Sequence, residues 1–301
     1  MDKIFRWLSG NKKSPTPAQD VANTAPLSEQ QIQAIVNSQN PRFDLQQLIS
    51  SCGQSVGKQR ELNEDSLLSL TTIMAGNSGN LPFGLYIVAD GMGGHQFGEV
   101  ASNAAIRTVA GYILRKFHPY LFHIKADTMD ESFQEIMQAA VNEAQRAIQR
   151  EAPGSGTTLT AALVLGQQIT IAHVGDSRAY FVYLDGRIEP ITRDHSLVKR
   201  LEELGHITPH EAVNYPHRNV LYRALGQGEI LDPDIFTVGF PQPGYLMICS
   251  DGLWGVLTEQ DLARSINEAS SLQRACQNLI NAANSAGGPD NISVILVQLI
   301  G

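Results

Sequence analysis

The chain has 301 residues, 43% hydrophobic and 17% charged, with a formal net charge of −8. That is an ordinary globular composition with room for one large domain or two small ones. The acidic balance argues against a nucleic-acid partner, and no run reaches the roughly 18 apolar residues of a membrane span.

The opening stretch MDKIFRWLSGNKK lacks the apolar core and small-residue cleavage site of a secretory leader, so a cytoplasmic location is expected. Cys52, Cys249 and Cys276 form no metal or redox spacing, and their odd number speaks against a disulfide framework. Residues 1–45 are polar, Pro- and Ser-bearing and without periodicity, which predicts a flexible N-terminal extension. Within it, Ser28 and Gln31 match a capping box for a short helix that Pro41 stops. The tip IFRWL, with Lys3, Arg6, Lys12 and Lys13, is read as a frayed end rather than a membrane anchor.

Residues 46–301 carry regular periods and are read as one domain. Strand-like runs fall at 66–73, 84–89, 157–165, 169–174, 179–184, 244–250 and 292–299. The stretch VLGQQIT and the Asp185–Gly186 pair give hairpin signals between neighbouring runs. Helical stripes run through Ile106, Val109, Ile113 and Phe117, then through Phe133, Met137, Ala140, Ala144 and Ile148, and more helix is expected over 258–286. Two helices placed together between blocks of strands are not βαβ alternation. The expectation is an α+β fold: an antiparallel β-sandwich with helix pairs on both faces, α-β-β-α.

One pattern recurs at the strand ends. Asp90 in IVADGMGGHQFGE leaves a buried run into a loop stripped of side chains by Gly91, Gly93 and Gly94. Asp176 in TIAHVGDSRAY, Asp251 in YLMICSDGLWG and Asp290 in GGPDNISVILV stand in the same setting. Asn63, Glu64 and Asp65 occupy the mouth of the first strand run. Each acid alone is an ordinary turn former; together they converge, and converging carboxylates repel unless cations neutralise them. An all-oxygen set with no His or Cys at ligand spacing selects Mg2+ or Mn2+ over zinc. Two such ions with a water between them would hydrolyse a phosphate ester, and glycine beside the acid lets a backbone carbonyl approach.

The rivals are poorer fits. A cysteine-nucleophile phosphatase needs a thiolate and an arginine in one short loop, and Cys52 stands too far from Arg60. The Asp232-Pro-Asp234 pair has no apolar strand before it for an aspartyl-phosphate mechanism, and no Walker loop or Gly-x-Ser-x-Gly elbow is present.

With Arg60-x-x-Asn63-Glu64-Asp65, VADGMGG, GSGTTLTAALV, HVGDSRAY, SDGLW and GGPDNISV in that order, residues 52 to 300 resemble the metal-dependent protein phosphatases of the protein phosphatase 2C type, in particular the bacterial members. The resemblance implies hydrolysis of phosphoserine and phosphothreonine by a metal-bridging water. It makes Asp90 the carboxylate shared by both ions and Gly91 a carbonyl donor. Asp65 would serve the second ion, Asp251 and Asp290 the first, Glu64 would act through water, and Asp176 with Asp251 would form a weaker third site. Arg60 would clamp the substrate phosphate.

Met92 stands where animal-type members carry a histidine that could act as acid; His95 nearby is read as a surface or hydrogen-bonding residue. His173 is expected in the core, and Arg178 either steadies Asp176 or lies on the surface. Residues 193–226 resemble the family's variable flap, whose expected role is substrate selection. The implied partners are phosphorylated proteins, opposite a serine/threonine kinase, for a monomeric enzyme. The alternative is a phosphatase-like module that docks phosphoproteins without cleaving them. Deleting residues 1–45 is expected to leave turnover of a small aryl phosphate at the full-length rate; a truncated chain that fails to fold by circular dichroism would make the extension structural.

Overall fold

Strand β3 (Gly79–Met92) shows how the layers arise. Its Leu85, Ile87 and Ala89 join one buried cluster, while Tyr86 and Val88 join another. A strand buried on both faces reads as a continuous apolar run, because each half of its period-2 pattern meets a different core. The same holds for β10 (Gly244–Cys249) and β11 (Ile292–Ile300), whose alternate residues divide between the inner cluster and a third one.

These statements come from a computed structural model that describes residues 45–76, 79–92, 97–121, 130–213, 215–216, 219–228 and 231–301. The expected Ser28–Gln31 cap and His95 lie outside the described residues. The remaining strands are β1 (Gln47–Ser55), β2 (Asp65–Gly76), β4 (Gly156–Thr157), β5 (Leu159–Leu165), β6 (Gln168–Val174), β7 (Arg178–Tyr183), β8 (Ile188–Pro190) and β9 (Asp234–Gly239). One antiparallel sheet has the order β1-β11-β10-β7-β8, and the other β2-β3-β5-β6-β9, with β4 paired to β3. Val88, Ile171, Ile248 and Ile295 meet in the layer between them.

Helices α1 (Gly98–Leu121) and α2 (Phe133–Glu151) cover the outer face of the second sheet. The expected stripes Val109, Ile113 and Phe117, and Met137, Ala140, Ala144 and Ile148, point into that layer. Ser132 and Glu135 close a capping box at the start of α2. Helices α6 (Glu259–Asn267) and α7 (Leu272–Ser285) cover the outer face of the first sheet through Leu262, Ile266 and Leu279. The helix expected over 258–286 is therefore two helices, each capped by its own hydroxyl, Thr258 and Ser271. Short helices α3 (Leu197–Glu203), α4 (Pro209–Val213) and α5 (Asp251–Trp254) complete the described elements. The α-β-β-α layering is the expected one.

Candidate metal-binding active site

The inner-face rhythm of β3 continues past Val88 to Asp90, so this carboxylate lies at the end of the layer between the sheets. Asp65 opens β2 and stands directly opposite Asp90 in the β2–β3 register. Side chains so paired share one face with Cβ atoms about 5 Å apart, and like charges there repel. From the other sheet, β10 ends at Cys249, Ser250 turns the chain, and Asp251 opens α5. Asp290 precedes β11 by two residues. The strand ends of both sheets thus deliver acids to one end of the sandwich.

Asp90, Asp176, Asp251, Asp290, Glu64, Gly91 and Arg60 line one cleft of about 250 Å³, and Asp65 lies buried beneath it. All eight residues singled out in the sequence are therefore brought together. Burial holds the Asp90 carboxyl well above its usual range, and the charges of Asp65, Asp251, Asp176 and Asp290 add to this. Burial likewise raises Asp176, with Asp251 contributing. Asp65 is pushed up to about 7 by burial, against the opposing hydrogen bond from Ser250, and Asp251 to about 6 by burial and the charge of Asp290.

Two oxygens of this set, Asp65 Oδ1 and Asp251 Oδ1, are buried with no hydrogen-bond partner. Orphaned carboxylate oxygens at a buried acidic cluster fit hard divalent cations. Among the described residues no three His, Cys, Asp or Glu side chains already form a cage for one ion. Ions of the magnesium class keep several waters and need only one or two carboxylates each. Cys249, close by, has its thiol raised to about 12 by burial, which leaves no thiolate for a cysteine mechanism.

The glycine beside Asp90 has a steric reason. A Cβ on Gly91 would lie 2.2 Å from the carbonyl oxygen of Gly98, and its N–H donates to Glu64 O at 3.2 Å. Only a bare backbone passes between α1 and the Glu64 segment. Thr158 fixes Asp90 from the other side: the Asp90 N–H donates to Thr158 Oγ1 at 2.9 Å, and the Thr158 N–H to Asp90 O at 2.9 Å.

Arg60 sits at the mouth with about half its side chain exposed, its Nη2 2.8 Å from Asp290 and its Nη1 3.9 Å from Glu64. His173 is buried as expected, bonded to Thr160 Oγ1 and Arg193 O, and burial lowers its pKa to about 4. Arg178 is half-buried rather than on the surface, and its charge favours the ionised form of Asp176 against the burial that raises it. Its guanidinium grips both carboxylate oxygens of Asp194 at 2.7 and 2.8 Å and stacks 3.5 Å over the Trp254 ring. Trp254 Nε1 in turn donates to Asp176 O at 3.0 Å, so the indole also links Arg178 to the Asp176 segment.

Asn291 and Ser250 carry structural weight that the sequence did not reveal. Asn291 Nδ2 donates to Val56 O and Leu62 O at 2.8 and 2.9 Å, while its Oδ1 accepts from the Glu64 N–H at 2.8 Å. One buried amide therefore holds the loop bearing Arg60 and Glu64 against the start of β11. Ser250 Oγ donates to Asp65 Oδ2 at 2.7 Å and accepts from the Ser293 N–H. The only sequence signal was a polar residue abutting an apolar strand.

The raised carboxyls have a consequence for stability. An acid such as Asp65, ordinarily near 3.8 and about 7 when folded, contributes most below about 4 and loses that contribution as pH rises through 7. In excess chelator the protein is expected to melt several °C lower at pH 8 than at pH 5. Asp65→Asn should flatten this difference and raise the chelated Tm at pH 8, because a neutral isostere removes a buried charge, while shrinking the rise in Tm on adding manganese. Thermal melts at both pH values check it; a chelated wild type at least as stable at pH 8 as at pH 5 contradicts it.

The sequence model of protein phosphatase 2C matches residues 52–286. The chain is 37% identical over 223 residues to the serine/threonine phosphatase stp of Listeria welshimeri, covering 74% of this chain and 86% of that protein. The crystal structure of the Mycobacterium tuberculosis serine/threonine phosphatase PstP/Ppp matches with a TM-score of 0.68 at 31% identity, over 85% of this chain and all of that one. A crystal structure of the catalytic domain of PstP in complex with two manganese ions matches with a TM-score of 0.66 at 29% identity, again over 85% of this chain and all of that one. With its acids assembled at one end of an α-β-β-α sandwich and a family match across most of its length, the chain belongs to the protein phosphatase 2C family.

Proposed function

We propose that the chain is a metal-dependent serine/threonine protein phosphatase and that the acidic cleft is its catalytic centre. One observation carries the assignment: Asp65 and Asp90 face each other across the β2–β3 ladder, and Asp65 and Asp251 each keep a buried carboxylate oxygen without a partner, in a chain of this family. The manganese ions of the PstP structure support Mn2+ or Mg2+ as the cations. In this reading Asp90 and the Gly91 carbonyl would help hold the two ions. Asp65, Asp251 and Asp290 would complete the donor set for the pair, with Glu64 in an outer role, and Asp176 with Asp251 would hold a third, weaker ion. When bound, such a pair polarises the phosphoryl group and supplies a water nucleophilic near neutral pH.

The chain's own contribution is placement and charge. Sheet ends fix the acids, so little reorganisation accompanies the reaction. Arg60 projects five donors at the cleft mouth, where its forked geometry suits two phosphate oxygens. Met92 lines the cleft but has no proton for the leaving oxygen. Every carboxylate of the set is present, which favours catalysis over a docking module. The substrates in this reading are phosphoproteins made by a serine/threonine kinase, and the enzyme is a cytoplasmic monomer. Among the described residues no helix is long and apolar enough to cross a membrane.

Hydrolysis of a phosphothreonine peptide is expected to require manganese or magnesium and to stop in excess EDTA; undiminished turnover in chelator removes the two-ion centre. Asp90→Asn should nearly abolish turnover of the same peptide while leaving the circular dichroism unchanged. Arg60→Ala should lower kcat/KM roughly 10- to 150-fold at saturating manganese, the equivalent of about 1.5–3 kcal/mol for a charge-assisted hydrogen bond. A change within twofold assigns the phosphate clamp elsewhere.

A further inference from the structure

A second hollow, of about 570 Å³, opens directly off the catalytic cleft and shares Arg60, Asp176, Asn219, Asp251 and Asp290 with it. Its size falls in the range of pockets that enclose a ligand group. The charged residues of its outer walls are already matched. Arg178 is held bidentately by Asp194, and Lys199 Nζ lies 3.3 Å from both carboxylate oxygens of Glu202. The apolar part of the lining is Val198 and Ala212 on one side, and Trp254, Val256 and Pro289 on the other. Val198 stands on α3, which has no buried residue of its own, and faces the hollow half-buried.

We propose that this hollow is a subsite for an apolar side chain close to the phosphorylated residue of a substrate protein. The proposal rests on the phosphatase reading above and adds a sequence preference to it. Continuity with the cleft makes the occupant part of the same chain: a residue adds at most 3.3–3.6 Å of reach, so a phosphoresidue in the cleft brings a side chain one to three positions away to the shared wall. On the outer walls Arg178 and Lys199 are already engaged by Asp194 and Glu202, so a lone Lys or Glu seated there would lose hydration without gaining a free partner. A Leu or Phe would bury apolar surface against Trp254 and Val198.

The test is kcat/KM for phosphothreonine peptides that differ only within three residues of the phosphothreonine, carrying Ala, Leu, Phe, Lys or Glu, with p-nitrophenyl phosphate alongside as a substrate too small to reach the hollow. Leu and Phe at one of these positions are expected to exceed Ala by about tenfold, with Lys and Glu no better than Ala. Val198→Glu should erase that preference and leave turnover of the aryl phosphate unchanged. Val256→Lys repeats the test from a different element, so that a folding defect confined to α3 does not decide the matter. Equal kcat/KM across the series, a preference for Lys or Glu, or a Leu preference that survives both variants overturns the subsite. A wild-type protein inactive on the aryl phosphate with manganese present overturns the phosphatase reading itself.

Discussion

Asp65 and Asp90 stand opposite each other in an antiparallel ladder, on the face that packs between two sheets. A sheet built for stability alone would place a hydrophobic or oppositely charged pair there, since two facing carboxylates repel and each must leave water. The fold accepts this because the pair lies where the inner layer runs out, at the end of the sandwich, next to Asp251 and Asp290 from the other sheet. Local stability is exchanged for a fixed nest of anionic oxygens that divalent cations can neutralise. The raised carboxyls of Asp65, Asp90 and Asp251 measure the same tension.

Holding such a nest together without cations requires that its supports be independent of them. Ser250 bonds Asp65 and the Ser293 backbone, so it ties the end of β10 to the start of β2 across the layer. Asn291 ties the loop of Arg60 and Glu64 to the start of β11. Thr158 holds both backbone groups of Asp90. The Asn291 and Thr158 bonds use neutral, buried groups, whereas the Ser250 bond favours the charged form of Asp65.

The described residues of the segment 193–226, expected as a flap, are tied to the sandwich at several points. His195 exchanges two bonds with Gly175, its N–H donating to Gly175 O at 2.7 Å and its Nδ1 accepting the Gly175 N–H at 3.2 Å. Asp194 is gripped by Arg178, and Leu225 pairs with Thr157. Between these anchors α3 buries no side chain, while Asn219 and Leu221 reach the cleft wall.

Much of this was legible in the sequence because the signals were local. Apolar period 2 and period 3.6 are properties of neighbouring residues, so the paired helices and the strands through Tyr86, Ile171 and Ile295 could be read directly. Acids after apolar runs and beside glycines marked the ends of those strands. The edge strand β1, QLISSCGQS, escaped because it mixes polar and half-buried residues and is held by its ladder with β11. The register that sets Asp65 against Asp90, the choice of Asp194 as partner for Arg178, and the roles of Ser250 and Asn291 were decided only in three dimensions. Each depends on residues tens to hundreds of positions apart being brought within hydrogen-bond reach, and no local period encodes that distance.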